Sequence, residues 1–344
     1  NEQGGINGRK IRLISVDDGY MPPKTVEQVR RLVEQDNVAF LFNPLGTAPN
    51  LSVRKYLNDR KIPQLFVSSG SSKWGDPRNY PWTMGWQPHY RFEARVYASY
   101  ILKHKPDAKI AILYQNDDFG KEYIAGLREG LGPERADKMI IEEAAYQIMD
   151  PTIDSQIIRI KASGADTLLV AATPKFAALS IRKVYELAWK PLFFMTNVST
   201  SPGGVLIPVG PEKADGLISA GYLKSPVDPQ WYEDPGMKDW RAFMTKYHPE
   251  GDLTDAGNVY AFNVSATLVQ VLKQCGEDLS RENIMRQAAN LRDYVPPALL
   301  PGIKINTSPA QYYPVRQLQL ERWDGKTWIH IDKPVTDDVG AQVD

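Results

Sequence analysis

Between Asn37 and Pro77 the chain reads strand, loop, helix, strand, loop, and that order narrows the folds open to it. Asn37-Val-Ala-Phe-Leu-Phe-Asn43 is short and almost wholly apolar, the pattern of a parallel strand buried on both faces. It runs into Pro44-Leu-Gly-Thr-Ala-Pro-Asn50, and a helix follows with Val53, Tyr56 and Leu57 on one face. Pro49 falls in that helix's first turn, where its missing N–H costs nothing. Ile62-Pro-Gln-Leu-Phe-Val67 is a second strand, and it ends in the hydroxyl-rich loop Ser68-Ser-Gly-Ser-Ser72. Two parallel strand ends thus present hydroxyls and free backbone N–H groups at the carboxyl edge of a sheet. Open α/β sheets bind ligands there, and helix N-termini at that edge favour anions such as a carboxylate. For either loop alone, the chemistry of tight turns explains the same residues equally well.

The rest of the chain extends this plan. Residues 10–16 have strand character, and residues 25–35 carry Val26, Val29 and Val33 at helical spacing. The eight residues before them read as the exit of a helix with glycines at its C-cap, so the sequence predicts further chain upstream of Asn1. Residues 80–86 read as extended, and residues 90–104 as a helix burying Val96, Tyr97, Tyr100 and Ile101. After the polar break Lys105-Pro-Asp-Ala-Lys109 the alternation starts again, with strands at 110–114, 139–145, 167–171 and 192–195 and helices between them. Two consecutive series separated by a break predict two doubly wound lobes, not one large sheet. From Gly216 the chain leaves through residues 218–223 and becomes mainly helical, at about 239–247, 256–275 and 280–291. A hairpin closes it, with strands at 315–323 and 327–331 around Asp324-Gly325. Helices without strands cannot build a third α/β lobe, so they are expected to return over the first.

Composition removes whole classes of function. The chain has 344 residues, enough for two domains, and its 41 basic and 41 acidic residues cancel. No overall field attracts nucleic acid or an anionic membrane. The longest apolar runs are strand-sized, well short of the roughly 20 residues that cross a bilayer. One cysteine, Cys275, rules out an internal disulfide and a cysteine-ligated metal site.

Enzymatic signatures are scarce. The sequence has no G-x-S-x-G, no P-loop, no H-E-x-x-H and no G-x-G-x-x-G after a strand. His89, His104, His248 and His330 are scattered without metal-ligand spacing and read as surface or helix-end residues. Asp17-Asp18 and Asp117-Asp118 are adjacent pairs whose side chains diverge on a strand, which favours solvated strand ends over an acid–base pair. Trp82 and Trp86 read as core. Asn263-Val-Ser265 fits a glycosylation acceptor but lies in an apolar helix and is set aside. What remains is binding equipment: Thr47, Ser69, Gly70 and Ser71 on the first lobe, Phe119, Thr173 and Asn197 at strand ends of the second. If the lobes face each other, these loops line one cleft, the usual place for a small ligand.

Six collinear stretches then become recognisable. They are residues 1–11, Val16-Asp-Asp-Gly-Tyr20, Leu45-Gly-Thr47, Trp74-Gly-Asp-Pro77, Asn116-Asp-Asp-Phe-Gly120 and Leu300-Pro-Gly-Ile303. In that order they closely resemble the branched-chain amino acid-type solute receptors of ABC importers, over essentially the whole chain. The resemblance implies an α/β protein of the periplasmic-binding-protein type I class, with two doubly wound parallel-sheet lobes and a three-segment hinge. It places residues 1–105 and 226–301 in lobe 1, and 106–225 and 302–344 in lobe 2. It implies a periplasmic, non-enzymatic monomer without cofactor or metal that closes on a small ligand and docks on an inner-membrane permease.

By position in the resemblance, Thr47 (with Leu45 and Gly46 beside it) is the hydroxyl donor to a ligand carboxylate. Ser69, Gly70 and Ser71 form the loop that serves the same head group. Phe119 and Thr173 stand where members place tyrosines that close over the ligand. On the fourth loop, where amino-acid receptors carry an acid for the ammonium, this chain has Thr196-Asn-Val-Ser199. A buried ammonium without its counter-charge costs several kcal/mol. The expected ligand is therefore a carboxylate lacking an α-amino group, an aromatic acid first. An amino-acid receptor or a sensor of the same fold is the alternative. Members of the family also open with a strand, a ligand-contacting loop and a helix that have no counterpart here, which again predicts missing upstream sequence.

Overall fold

The structure is a computed structural model that describes residues 1–338 and contains two sheets, each laid down by a run of strand–helix alternation. The first run is α1 (Pro22–Glu34), β1 (Leu41–Phe42), α2 (Thr47–Asp59), β2 (Gln64–Val67) and β3 (Thr83–Gly85). Its strands pair in parallel in the order β1-β2-β3. Helix α3 (Tyr90–His104) then leads to the second run. This comprises β4 (Ile110–Gln115), α4 (Asp118–Leu131), α5 (Pro133–Met139), β5 (Ile140–Tyr146), α6 (Asp154–Ala162), β6 (Thr167–Ala171), α7 (Pro174–Glu186) and β7 (Leu192–Met195). The short α8 (Ile207–Val209) precedes β8 (Ile218–Gly221). Helices α9 (Pro235–Tyr247), α10 (Ala256–Cys275) and α11 (Arg281–Ala288) follow, and the described chain ends with β9 (Gln317–Trp323), β10 (Trp328–His330) and β11 (Val335–Thr336). The second sheet runs β10-β9-β8-β7-β6-β4-β5, with β11 paired to β9.

The second sheet is covered on both faces, and its side chains show how. Ile110 and Ile112 of β4, Leu169 and Ala171 of β6 and Phe194 of β7 enter one core. Their neighbours Ala111, Leu113, Leu168, Val170, Phe193 and Met195 enter the other, against α6 and α7. This strict alternation is what a doubly wound parallel sheet demands. The first of these cores continues into β2, β3, α3 and α10.

The later helices lie against the first sheet. Trp86 Nε1 donates to Thr267 Oγ1 of α10 at 3.1 Å, and Asn43 Nδ2 donates to the Tyr260 hydroxyl at 2.7 Å. Arg281 donates to the Ala39 and Val38 carbonyls, beside β1. Asn263 is buried and accepts from the Ala298 N–H at 2.8 Å, so it pins the returning chain instead of facing solvent.

Three expectations are corrected. Residues 10–16 form no ladder. Ile14 and Val16 rest on the small core between α1 and α2 while Leu13 is 74% exposed; the strand-like alternation is present, but no neighbouring strand completes it. Residues 1–9 form turns joined by an Ile6–Arg9 bridge, not the end of a helix. Helix α9 begins at Pro235, because the Asp234 carboxylate caps the Met237 N–H. Helix α5 was not anticipated.

Helices α3 and α4 approach closely because α4 presents glycines to α3. A Cβ on Gly126 would lie 2.5 Å from the Arg91 carbonyl oxygen, and one on Gly130 would lie 2.6 Å from the Ala98 Cβ. Gly126→Ala gains about 1 kcal/mol of helix propensity but overpacks the seam, which typically costs about 1–3 kcal/mol. The expected outcome is a net loss of stability, read as a lower urea midpoint at unchanged slope.

Candidate functional site

The strands of both sheets end towards one cavity of about 590 Å3, within the range of small-molecule sites. The first sheet contributes Leu45, Gly46 and Ser68 after β1 and β2; the second contributes Phe119, Ile148, Thr173 and Asn197 after β4 to β7. Aromatic rings supply much of the wall: Tyr20, Tyr90, Phe119, Tyr222, Tyr260 and Trp328. Tyr90 and Phe119 meet edge to face with centroids 5.0 Å apart. Gly46 is required at its position, since its φ is +94° and a Cβ there would meet the Tyr20 ring at 2.4 Å. A second depression, around Arg54, Lys73 and Tyr80, is rimmed by charges, with Arg54 stacked 3.6 Å over the Tyr80 ring in its wall. It lies outside the convergence of strand ends.

The residues expected from sequence divide into two groups. Leu45, Gly46, Phe119, Thr173 and Asn197 line the cavity. Thr47, Ser69, Gly70 and Ser71 are buried behind its wall. Thr47 Oγ1 lies 2.7 Å from Ser69 Oγ, which accepts from the Ser71 N–H at 3.2 Å. The Ser71 hydroxyl donates to Glu122 Oε1 at 2.7 Å, and Ser72 gives the same carboxylate its N–H at 2.7 Å and its hydroxyl at 3.0 Å. The Tyr90 hydroxyl engages the Ser69 side chain and the Gly70 backbone. The serine loop therefore holds an internal carboxylate from α4 and a tyrosine oxygen, the two kinds of group it is equipped to receive. Burial raises Glu122 above the usual carboxylate range, against the pull of Ser71 and Ser72.

Two further acids define the polar side of the cleft. Glu93 of α3 is fully buried and accepts from the Tyr97 hydroxyl at 2.6 Å, the Tyr123 hydroxyl at 2.8 Å, and both the N–H and the Nδ2 of Asn197. Burial pushes Glu93 up to about 7 although these donors pull it down. Asn197 is thus committed to Glu93 as well as bordering the cavity. Glu321 of β9 lines the cavity, is 7% exposed, and accepts no hydrogen bond among the described residues. Burial first, then the charges of Asp228 and Glu93, push it up to about 8.

Sequence reasoning missed Glu321, Tyr20, Gln87, Tyr222, Tyr260 and Trp328. For Glu321 a signal existed: an acid inside Leu318-Gln-Leu-Glu-Arg-Trp323 sits in a strand whose neighbours are core, where glutamate is rarely buried without a partner. The histidines and paired aspartates do structural work. His89 caps α3 through the Phe92 N–H and meets Asp337 at 2.6 Å, while Asp18 and Asp117 accept from local backbone N–H groups. Among the described residues no cluster of three or more His, Cys, Asp or Glu is placed to hold a metal ion, and no helix is long and apolar enough to cross a membrane.

Comparison with known proteins fits this geometry. A family model described as periplasmic binding protein matches residues 1–327. A Pseudomonas aeruginosa protein described as an amino acid binding protein is 20% identical over 285 residues, 80% of this chain and 71% of that one. A Thermus thermophilus branched-chain amino acid ABC transporter structure with bound valine superposes with a TM-score of 0.86 at 16% identity, over 98% of this chain and 88% of that one. A solute-binding protein of an ABC transporter from R. palustris, in complex with benzoate, has a TM-score of 0.80 at 17% identity, over 99% and 91% of the two chains.

The buried acids make two outcomes measurable. Glu122→Ala leaves the Ser71 and Ser72 donors without their acceptor and is expected to lower stability by about 1–3 kcal/mol in urea unfolding. Glu321 is raised in the folded state, so the fold binds an extra proton between the unfolded value of 4.5 and about 8. Its contribution is therefore full at low pH and is lost as pH rises through that window. Glu321→Gln does not titrate, so its melting temperature relative to wild type should climb steadily from about pH 5 to about pH 9.

Proposed function

The chain belongs to the periplasmic binding protein family, and on that premise we propose that it is the solute receptor of an ABC importer, binding a small aromatic carboxylate that lacks an α-amino group. It acts as a binding protein and not as an enzyme, works in the periplasm as a monomer, and hands its ligand to an inner-membrane permease. Residues 1–105 with 226–301 form one lobe and residues 106–225 with 302–344 the other, the last six lying outside the described residues. The ligand binds both lobes fully only when they are closed, and so shifts the population towards the form the permease recognises.

The observation that carries this reading is the aromatic-walled cavity between the strand ends of the two sheets. Rings of Tyr90, Phe119 and Tyr222 suit a flat apolar body. Leu45, Gly46, Thr173 and Asn197 complete the wall. Thr47, Ser69, Gly70 and Ser71 receive the carboxylate once the Tyr90 hydroxyl turns aside from Ser69 and Gly70 and the Ser71 hydroxyl turns from Glu122. The loop Thr196-Asn-Val-Ser199 offers no counter-charge to an α-ammonium, and Asn197 turns its backbone N–H and its Nδ2 to Glu93. The benzoate complex of the R. palustris relative supports an aryl acid; the valine complex of the T. thermophilus relative supports the amino-acid alternative.

Thermal melting across aryl carboxylates and branched-chain amino acids separates the two. A ligand at a hundredfold its dissociation constant adds about 2.7 kcal/mol of stability. A clear upward shift with benzoate or a close analogue, and none with leucine or valine, is expected. A shift with leucine or valine alone overturns the proposal.

A further inference from the structure

Among the described residues, Glu321 is the cavity carboxyl that the fold itself does not employ. It stands on β9 opposite Ser219 of β8 and His330 of β10. Its carboxyl lies over Gly221, where a Cβ would come within 2.6 Å of Glu321 Oε2. The groups around it are anionic, or are spent elsewhere. Asp228, after β8, and Glu93, from α3, both repel it. Tyr97 of α3 donates to Glu93 and to the Met195 carbonyl, and Ser219 Oγ donates to that same carbonyl. Two lysines border the cavity. Lys224 is paired with Asp234 at 2.8 Å, and Lys175 donates to the Asp150 carbonyl at 3.2 Å. His330 is exposed and lies beside Asp228. A carboxyl buried without any donor is costly, and in a concave site that cost is recovered when an incoming molecule brings the missing donor.

We propose that Glu321 receives a hydrogen-bond donor carried by the ligand, which narrows the ligand class to aryl carboxylates bearing a hydroxyl or an amine away from the carboxylate. The inference rests on the function proposed above. Glu321 belongs to the second sheet and the Ser69–Ser71 loop to the first, so the two polar ends of such a ligand are read from opposite sides of the cleft. A hydroxyl donates to Glu321 in its neutral form, and no proton is exchanged with solvent. An ammonium requires the carboxylate, so binding releases the Glu321 proton and tightens as pH rises.

The test is calorimetric titration of wild type and two variants with benzoate, para-hydroxybenzoate, para-(aminomethyl)benzoate, phenol and benzylamine. In wild type a donor-bearing acid should bind about tenfold tighter than benzoate. If the donor is an amine, its affinity should rise about tenfold between about pH 6.5 and about pH 8.5, while that of the hydroxyl acid stays flat. Glu321→Leu should bring the ratio over benzoate close to one. Glu321→Gln keeps an acceptor but no charge, so it should retain a preference for the hydroxyl acid and lose any for the amine. It decides the matter alone if the leucine variant does not fold. Equal binding of bare and donor-bearing acids by wild type, or a preference that survives Glu321→Leu, overturns the inference. Benzoate silent while benzylamine or phenol binds through Glu321 overturns the carboxylate reading and leaves this one standing. Silence with all five ligands overturns both.

Discussion

Glu93 accepts four hydrogen bonds in a site with no exposed surface, and the shape of the cleft depends on that arrangement. Its partners come from its own helix α3, from α4 and from the turn after β7. One carboxylate therefore fixes where α3, Tyr123 of α4 and the fourth cavity loop sit relative to each other. Networks of this kind are strong when complete and costly when a member is lost. Glu122 repeats the device at the other side of α4, where it binds the serine loop of the first sheet. Through Tyr123 and Glu122, neighbours on α4, this helix is tied both to α3 and to the serine loop.

The consequence for recognition is that the first sheet's donors are engaged before any ligand arrives. Tyr90 and Glu122 already engage the loop Ser69 to Ser72, where the ligand carboxylate is proposed to bind. A ligand gains only the difference between its own contacts and those it displaces. Under the proposed function, a molecule that fits the aromatic walls but cannot outcompete the Tyr90 hydroxyl gains nothing from this loop, a form of selectivity that needs no clash.

The sequence was most legible where burial is two-sided and local. β6 and β7 and the helices α3 and α10 are found at the predicted positions, because continuous apolar runs and helical periodicity leave one assignment for each. Residues 10–16 carry the same kind of alternation as a strand, yet a strand also needs a neighbour, and sequence does not supply that information. The cavity loops were found for the same reason that the strands were: ligand sites lie at strand ends. The orientation of Thr47 and Ser71 was not legible, because it is set by Ser69 and by Glu122, and Glu122 is 51 residues from Ser71 in the chain. Glu321 was overlooked because its environment is built from α3, the loop at Asp228 and β8, which meet only in the folded molecule.

Residues 9–13 have a colloidal consequence. Exposed apolar side chains are where one chain can join another, and charge beside them guards against it. Here Arg9, Lys10 and Arg12 flank Ile11 and Leu13, both exposed. Two copies approaching along this stretch bring like charges together, and that repulsion fades as the ionic strength rises and the Debye length shrinks. The basic residues thus keep Ile11 and Leu13 of two copies apart most strongly at low ionic strength.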